Sequence, residues 1–478
     1  LKLNKIAKNY IYNLIYQLIA LVVPLITAPY VVRVIGADGT GIYSYVNSVT
    51  AMLTTFVMLG FYTYGNRQIA YVRDDDQKLN DTFWRIMTCR FIVMIIGTAI
   101  FAVTVAVINK YTVPFILYYT YMLGYFVDCT WLFVGVEDMK WAVLKNIFLK
   151  LFATAMIFIF VRDANDTGLY IFIQGGSILF ANLLAYTQLK RYVGKPKFVF
   201  KGIKKDFYNS VLLFLPGVAS TIYLQCDKIM LEMLGKPIAQ VSQYDYAEKI
   251  VNIALSFITV LSTVMMPRIA NEFAQGRKSK IEELLCRAAK VSLFLACPLM
   301  LGMMIVANKL IPWYLGDEFL PSVKVIIIIS PIIISNTLTG ISGSQYFTAT
   351  NQIKILLISQ ISACVGNIAA NALLIPKFGL YGAAVATLVS SFVCAIIQYA
   401  HLCRQVKLKG VGKSAAKYLL FSIIMAAAVW IASRNLSASI VTNIIQVAIG
   451  FAVYLVLCLI FKDEVIMEFV SKIKAVRK

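Results

Sequence analysis

The stretch PYVVRVIGADGTGIYSYVNS, Pro29 to Ser48, lies between two long apolar runs and holds one cation, Arg33, and three glycines within six residues, Gly36, Gly39 and Gly41. Glycine is the residue that accepts a positive φ or lets two backbones approach closely. The pattern therefore predicts a tight hairpin between two apolar helices, with a guanidinium at its edge. No histidine, cysteine or carboxylate pair accompanies it, so the stretch carries no sign of covalent chemistry.

The flanking runs set the solvent. Of 478 residues, 60% are hydrophobic, and the mean hydropathy is +0.77. A water-soluble domain does not need so much apolar surface. A helix needs roughly 20 apolar residues to cross a bilayer, and at that length the chain offers fourteen spans, near 10–33, 42–65, 84–108, 113–135, 144–161, 168–189, 209–233, 243–267, 286–307, 322–348, 355–375, 380–401, 416–432 and 438–461. The first follows Lys2, Lys5 and Lys8 as a signal peptide would, but it is too long for one.

The formal charge of +22 would suggest nucleic acid in a soluble protein. Its distribution suggests a membrane instead. With the N-terminus in the cytoplasm and the spans alternating, 35 of the Lys and Arg residues fall on inner segments and 8 on outer ones, with Lys228 and Lys249 inside spans. This bias is the positive-inside rule; it predicts both termini in the cytoplasm and leaves no basicity for a nucleic-acid partner to explain. The nine cysteines form no CxxC pair, and the single histidine, His401, ends a span, which argues against a metal site, a cofactor or a catalytic triad. KGVGKSAA (409–416) resembles the tail of a phosphate-binding loop, but Lys407 stands where its first glycine belongs and no strand precedes it, so no ATP motor is expected.

The basic segment 190–208 divides the spans into six and eight, and three local matches recur in the same order on both sides of it. GIYSYVNSV (41–49) resembles VSQYDYAEKI (241–250). WLFVGVEDMKWAVLKN (131–146) resembles QYFTATNQIKILLISQ (345–360), pairing Phe133 with Phe347 and Lys140 with Lys354. GLY recurs at 168–170 and 379–381. Their order predicts two six-helix bundles of like topology: 1–189, then the cytoplasmic linker 190–208, then 209–403, with 404–478 adding two helices and a basic tail.

Polar residues recur at helical spacing inside the spans: Asn9, Asn13 and Gln17; Ser44, Asn47, Thr55 and Tyr62; Ser220, Tyr223 and Asp227; Glu248, Asn252, Ser256, Thr259 and Thr263. Such faces turn away from lipid, either to glue helices together or to line a shared polar cavity. Charges at membrane depth are Arg33, Asp128, Asp227, Lys228, Glu232, Glu248 and Lys249. They form ion pairs or mark a substrate or proton path. Arg33, Asn47, Thr55, Lys228, Lys249, Asn252 and Ser256 are the candidate cavity residues. Asp128, Asp227 and Glu248 are the candidate ion-coupling or gate residues.

PLITAPYVVRVIGADGTGIYSYVNS, YGNRQIA, WLFVGVEDMKW, DKIMLEMLG, YDYAEKI and LLIPKFGLYGAAVAT occur in this order. Over essentially the whole chain they resemble the bacterial polysaccharide transporters, the oligosaccharide repeat-unit flippases of the superfamily that also holds multidrug extruders (MATE) and the peptidoglycan-precursor flippase. The resemblance implies an all-α integral membrane protein of about 14 transmembrane helices: two pseudo-symmetric six-helix bundles in a V-shaped, MATE-like arrangement, plus two C-terminal helices. It also implies a non-enzymatic function in the bacterial cytoplasmic membrane. An undecaprenyl-diphosphate-linked oligosaccharide would move by alternating access from inner to outer leaflet, for capsule, O-antigen or exopolysaccharide synthesis, with a polymerase and a ligase as partners. A multidrug cation antiporter and a peptidoglycan-precursor flippase are the alternatives within the superfamily. A glycan polymerase or ligase is the enzymatic alternative, which the short outer loops disfavour. Arg33 would then hold a diphosphate oxygen pair bidentately or pair with an acidic gate.

Overall fold

The computed structural model describes residues 5–468 and Ser471, with side chains outside 5–15, 18, 139, 215–220 and 260–264. The polar faces expected at Asn9, Asn13, Ser220 and Thr263, and the basic residues beyond Ser471, lie outside the described residues and side chains. Everything described is helix or connection, without a strand.

The chain forms two compact units. The first runs to Glu232 and includes 237–242. It contains α1 (Lys5–Met58), α2 (Phe61–Val72), α3 (Asp76–Ile108), α4 (Thr112–Val127), α5 (Thr130–Gly135), α6 (Met139–Phe160), α7 (Thr167–Leu189) and α8 (Ile203–Met233). The second contains the body of α9 (Ile238–Ala274), α10 (Lys278–Tyr314), α11 (Pro321–Ile329), α12 (Ile332–Thr339), the π-helix Gly340–Phe347, α13 (Ile353–Phe378), α14 (Leu380–Gln405), α15 (Val411–Ser433) and α16 (Ile440–Ile460). Packing joins α8 to the first unit, and the two units meet in the chain at the α8–α9 turn.

Ten helices among the described residues are long and apolar enough to cross a membrane. The sequence predicts fourteen. One of the ten covers Ile19–Val72. At 1.5 Å per residue its 54 residues far exceed one bilayer core, and α1 is broken within it at Gly36, where φ is 72°. The others not among the ten are α4, at 16 residues, and α8 and α9, which include side chains outside those described, 215–220 and 260–264.

The three glycines act as their chemistry predicts. Gly36 supplies the positive φ. Gly39 packs so closely that a Cβ would meet Thr167 Oγ1 at 2.6 Å, and a Cβ on Gly41 would strike the carbonyl of Ile238.

Within each unit, the segments that charge bias assigns to one side gather at one end. In the first unit, Ser242 Oγ donates to Ala37 O (2.7 Å), Tyr30 donates to Val161 O (2.6 Å) and Lys110 pairs with Glu232. These join the turns near 36, 110, 161 and 235. At its other end Arg73 pairs with Glu137 (2.5 Å), Tyr192 donates to Asp138 (2.6 Å) and Arg85 holds Asp206 (2.6 Å). Burial and then the Asp138 carboxylate push the Tyr192 phenol up to about 12, so it remains a donor at neutral pH. In the second unit, Lys236 to Pro376 O (2.8 Å), Gln243 to Glu318 O (2.7 Å) and Trp313 to Asn443 (2.5 Å) mark one end. Glu282 to the Lys407 N–H (3.1 Å), Lys290 with Glu464 (2.5 Å) and Lys417 with Asp463 mark the other. Chains that cross repeatedly from end to end produce this grouping.

The match between 131–146 and 345–360 is also geometric. Glu137 and Asn351, at the same place in the match, are both left-handed, with φ of 59° and 56°. The N–H of Asp138 donates to Phe133 O at 2.8 Å, and that of Gln352 to Phe347 O at 2.8 Å. Phe133 and Phe347 are both fully buried.

Candidate functional site

A heavily bonded polar cluster in the first unit sits where the expected span 113–135 breaks. Helix α4 stops at Val127 because Asp128 turns extended, with ψ of 119°. Its carboxylate then accepts from Thr130 N (3.1 Å) and Thr130 Oγ1, starting α5. Lys145, from α6, places its ammonium among three acceptors: Asp128 Oδ1 at 2.8 Å, Thr130 Oγ1 at 2.5 Å and Asn182 Oδ1 of α7 at 2.5 Å. An ammonium has three donors, and all are used. Asn182 spends its amide on Gly124 O (2.8 Å). Arg90, from α3 and 3% exposed, donates to Tyr125 O (2.6 Å) and Asp128 O (2.7 Å). It caps the carbonyl end of α4, where the helix dipole favours a cation.

At the other end of this unit, α8 carries buried Asp227, Lys228 and Glu232. Glu232 is held by Lys110 and, at 3.4 Å, by the Tyr111 hydroxyl. Arg33 is exposed, three residues before the Gly36 break. Asn47 is half-buried and accepts from Tyr118 at 2.7 Å. The Thr55 hydroxyl bonds back to Ala51 O (2.9 Å), leaving its oxygen able to accept.

In the second unit, α9 holds the remaining candidates. Lys249 is exposed, 2.6 Å from Asp245 and over the Tyr246 ring at 4.8 Å. Glu248 is buried, Asn252 exposed and Ser256 half-buried. Ser256 Oγ donates to Ile253 O (2.6 Å). The structure therefore groups Asp128 with Lys145, Arg90, Thr130 and Asn182, and Lys249 with Asp245.

Sequence reasoning missed Arg90, Lys145, Asn182 and Asp245. The signal is present for all four. Arg90, Lys145, Asn182 and Asp245 are polar or charged residues within the expected spans 84–108, 144–161, 168–189 and 243–267. Among the described residues, no group of three or more His, Cys, Asp or Glu side chains could hold a metal ion.

Residues 6–273 match the family model described as polysaccharide biosynthesis protein, and the chain belongs to that family. It is 26% identical over 363 residues to the Escherichia coli K12 protein named "Putative O-antigen transporter", across 73% of this chain and 86% of that one. The solved structure of lipid II flippase MurJ in its inward closed conformation superposes with a TM-score of 0.70 at 16% identity, covering 96% of this chain and 99% of its own. An inward-facing multidrug resistance MATE family transporter of the MOP superfamily gives 0.64 at 13% identity, covering 83% and 96%. At these identities the likeness establishes the fold. The chain is an all-α, multi-pass membrane protein of the MATE-like fold, and the relatives named are transporters and flippases, not catalysts.

Proposed function

We propose that the protein is a flippase for undecaprenyl-diphosphate-linked oligosaccharide repeat units. It moves them from the inner to the outer leaflet of a bacterial cytoplasmic membrane by alternating access, for O-antigen, capsule or another exported glycan. Fourteen crossings with both termini cytoplasmic complete this reading. The observation that carries it is the conjunction of membership in the polysaccharide biosynthesis family with polar and charged side chains on membrane-spanning helices.

The chemistry is non-covalent. A diphosphate and several sugars cannot enter a low-dielectric layer unshielded. Arg33 supplies a planar, permanently charged fork for the diphosphate oxygens, and Lys228 and Lys249 add cationic charge. Asn47, Thr55, Asn252 and Ser256 offer acceptors and donors to sugar hydroxyls. Asp128, Asp227 and Glu248 serve as gate or coupling groups. For Asp128 that role requires release from Lys145, because the pair is otherwise neutralised in place. The isoprenoid tail stays in lipid. The polymerase and ligase of the same glycan would act on the delivered product.

The test is a flip assay in vesicles, using a fluorescent lipid-diphosphate oligosaccharide and an impermeant quencher. The purified protein should expose the inner-leaflet probe, while a fluorescent phosphatidylcholine stays protected. Uptake of a cationic drug driven by a proton gradient, without movement of the glycolipid, would replace this reading with multidrug antiport.

A further inference from the structure

The segment between α7 and α8 is a strap. Along it, Gly194 O accepts from Trp84 Nε1 (3.3 Å), Gly194 N donates to Asn80 (2.9 Å), Lys197 pairs with Asp81, Val199 N donates to Thr88 (3.1 Å), and Phe198 packs on Phe91 with centroids 5.9 Å apart. The α3 residues Asn80, Asp81, Trp84, Thr88 and Phe91 recur at helical spacing, so the strap follows one side of that helix. Arg85, bonded to Asp206, fixes the point where α8 begins.

So held, the strap shows two chemistries to its surroundings. Phe198 and Phe200 are each 67% exposed and stack with centroids 6.2 Å apart. Phe91, against which Phe198 packs, starts a row of exposed apolar residues on α3: Ile92, Ile95, Ile96, Ile100 and Val103. That row belongs to a membrane-spanning helix and faces acyl chains, so the strap aromatics continue the lipid-facing surface. Flanking them in the sequence are the exposed Lys195, Lys201, Lys204 and Lys205, with no carboxylate in the segment before the buried Asp206. An aromatic pair at the edge of an acyl-facing row, flanked in sequence by exposed lysines, is the composition of a membrane interface contact.

We propose that residues 195–205 form a binding surface for anionic lipid headgroups of the surrounding bilayer. Phe198 and Phe200 sit at the headgroup–acyl boundary, and Lys195, Lys201, Lys204 and Lys205 engage lipid phosphates. The occupant is the bilayer itself because the surface is continuous with α3's lipid face and its charge complements acidic lipid. The identity of the transported molecule does not enter.

Hydrogen exchange of the full chain in nanodiscs tests this. One set holds phosphatidylcholine alone, the other phosphatidylcholine and phosphatidylglycerol in equal parts. Amides of 195–202 should exchange on the order of tenfold more slowly in the anionic discs, with α6 and α7 unchanged. Molar potassium chloride should remove the difference. A variant with Lys195→Gln, Lys201→Gln, Lys204→Gln and Lys205→Gln should exchange at one rate in both lipids. Lys197 is retained because it holds Asp81. Phe198→Ser with Phe200→Ser should speed exchange in both lipids. Equal wild-type rates in the two lipids, a difference that survives the salt, or one that survives the glutamines would overturn the proposal.

Discussion

The two units build the same junction with different chemistry. In the register that pairs Phe133 with Phe347, Asp128 falls on Ser342 and Lys145 on Ser359. In the first unit Lys145 bridges Asp128 and Asn182. In the second, Gln398 of α14 donates to Ser359 (2.8 Å) and accepts from Ser342 (3.1 Å). Both arrangements tie a short irregular helical piece to the two helices that follow it. One uses a charge pair and the other neutral hydroxyls and an amide. The backbone therefore does not require the charge. A neutral set tolerates the loss of a member, because each serine also bonds its own helix, Ser342 to Leu338 O (2.8 Å) and Ser359 to Leu356 O (2.9 Å). A charged set tolerates it less, because the remaining ion loses the opposite charge bonded to it.

The largest effect should come from exchanging these chemistries. Lys145→Ser leaves the Asp128 carboxylate without its ammonium and should cost about 3–5 kcal/mol, read as thermal unfolding in nanodiscs. Adding Asp128→Ser should restore most of the loss, since the pair then resembles its counterpart. Ser359→Lys, a charge without a carboxylate at the same register, should destabilise by a similar amount. If the double variant is as unstable as Lys145→Ser alone, the two junctions are not equivalent. Gln398→Leu should cost less, about 1 kcal/mol, because both serines keep their helix carbonyls. A loss as large as that of Lys145→Ser would break the contrast.

The break at Gly36 was legible in the sequence because its requirement is local. Three closely spaced glycines announce a positive φ and a close approach, and Gly36 with Gly39 and Gly41 provide them. The repeat was legible for the same reason, since Phe133 and Phe347 keep their places. The α4–α5 break was not. FVDCTWLF (126–133) holds neither glycine nor proline, and the break is made by a side chain. Asp128 accepts from Thr130, a local competition with the helix that Asp-x-Thr permits and does not demand. Lys145 and Asn182 come from separate helices at no recurrent spacing, so only packing brings them to Asp128. The count of fourteen rests on apolar length; the break at Gly36 falls between its first two spans, 10–33 and 42–65, whereas α4 has only 16 residues.

A smaller effect lies outside both junctions and should leave them unchanged. Asp75 caps α3 by accepting from Lys78 N (3.0 Å), and the hydrogen bond from the Lys78 ammonium, followed by the backbone one, holds its carboxyl below the ordinary value. A carboxyl lowered on folding stabilises above its unfolded pKa and loses that contribution as pH falls through the folded one. Amide protection in the first turn of α3 should therefore decline on acidification below the ordinary aspartate range, and Asp75→Asn should flatten that decline. Unchanged acid dependence in Asp75→Asn would assign it to other carboxylates.

Whether this chain moves a lipid-linked glycan through its own charge is tested most directly at Arg33. In the vesicle flip assay, normalised to inserted protein, Arg33→Ala should slow movement of the lipid-diphosphate oligosaccharide about tenfold or more, the worth of a charge-assisted hydrogen bond of roughly 1.5–3 kcal/mol. Arg33→Lys, which keeps the charge but not the planar fork, should fall between Arg33→Ala and wild type. Near-normal flipping by Arg33→Ala would remove Arg33 from the substrate path and contradict the account.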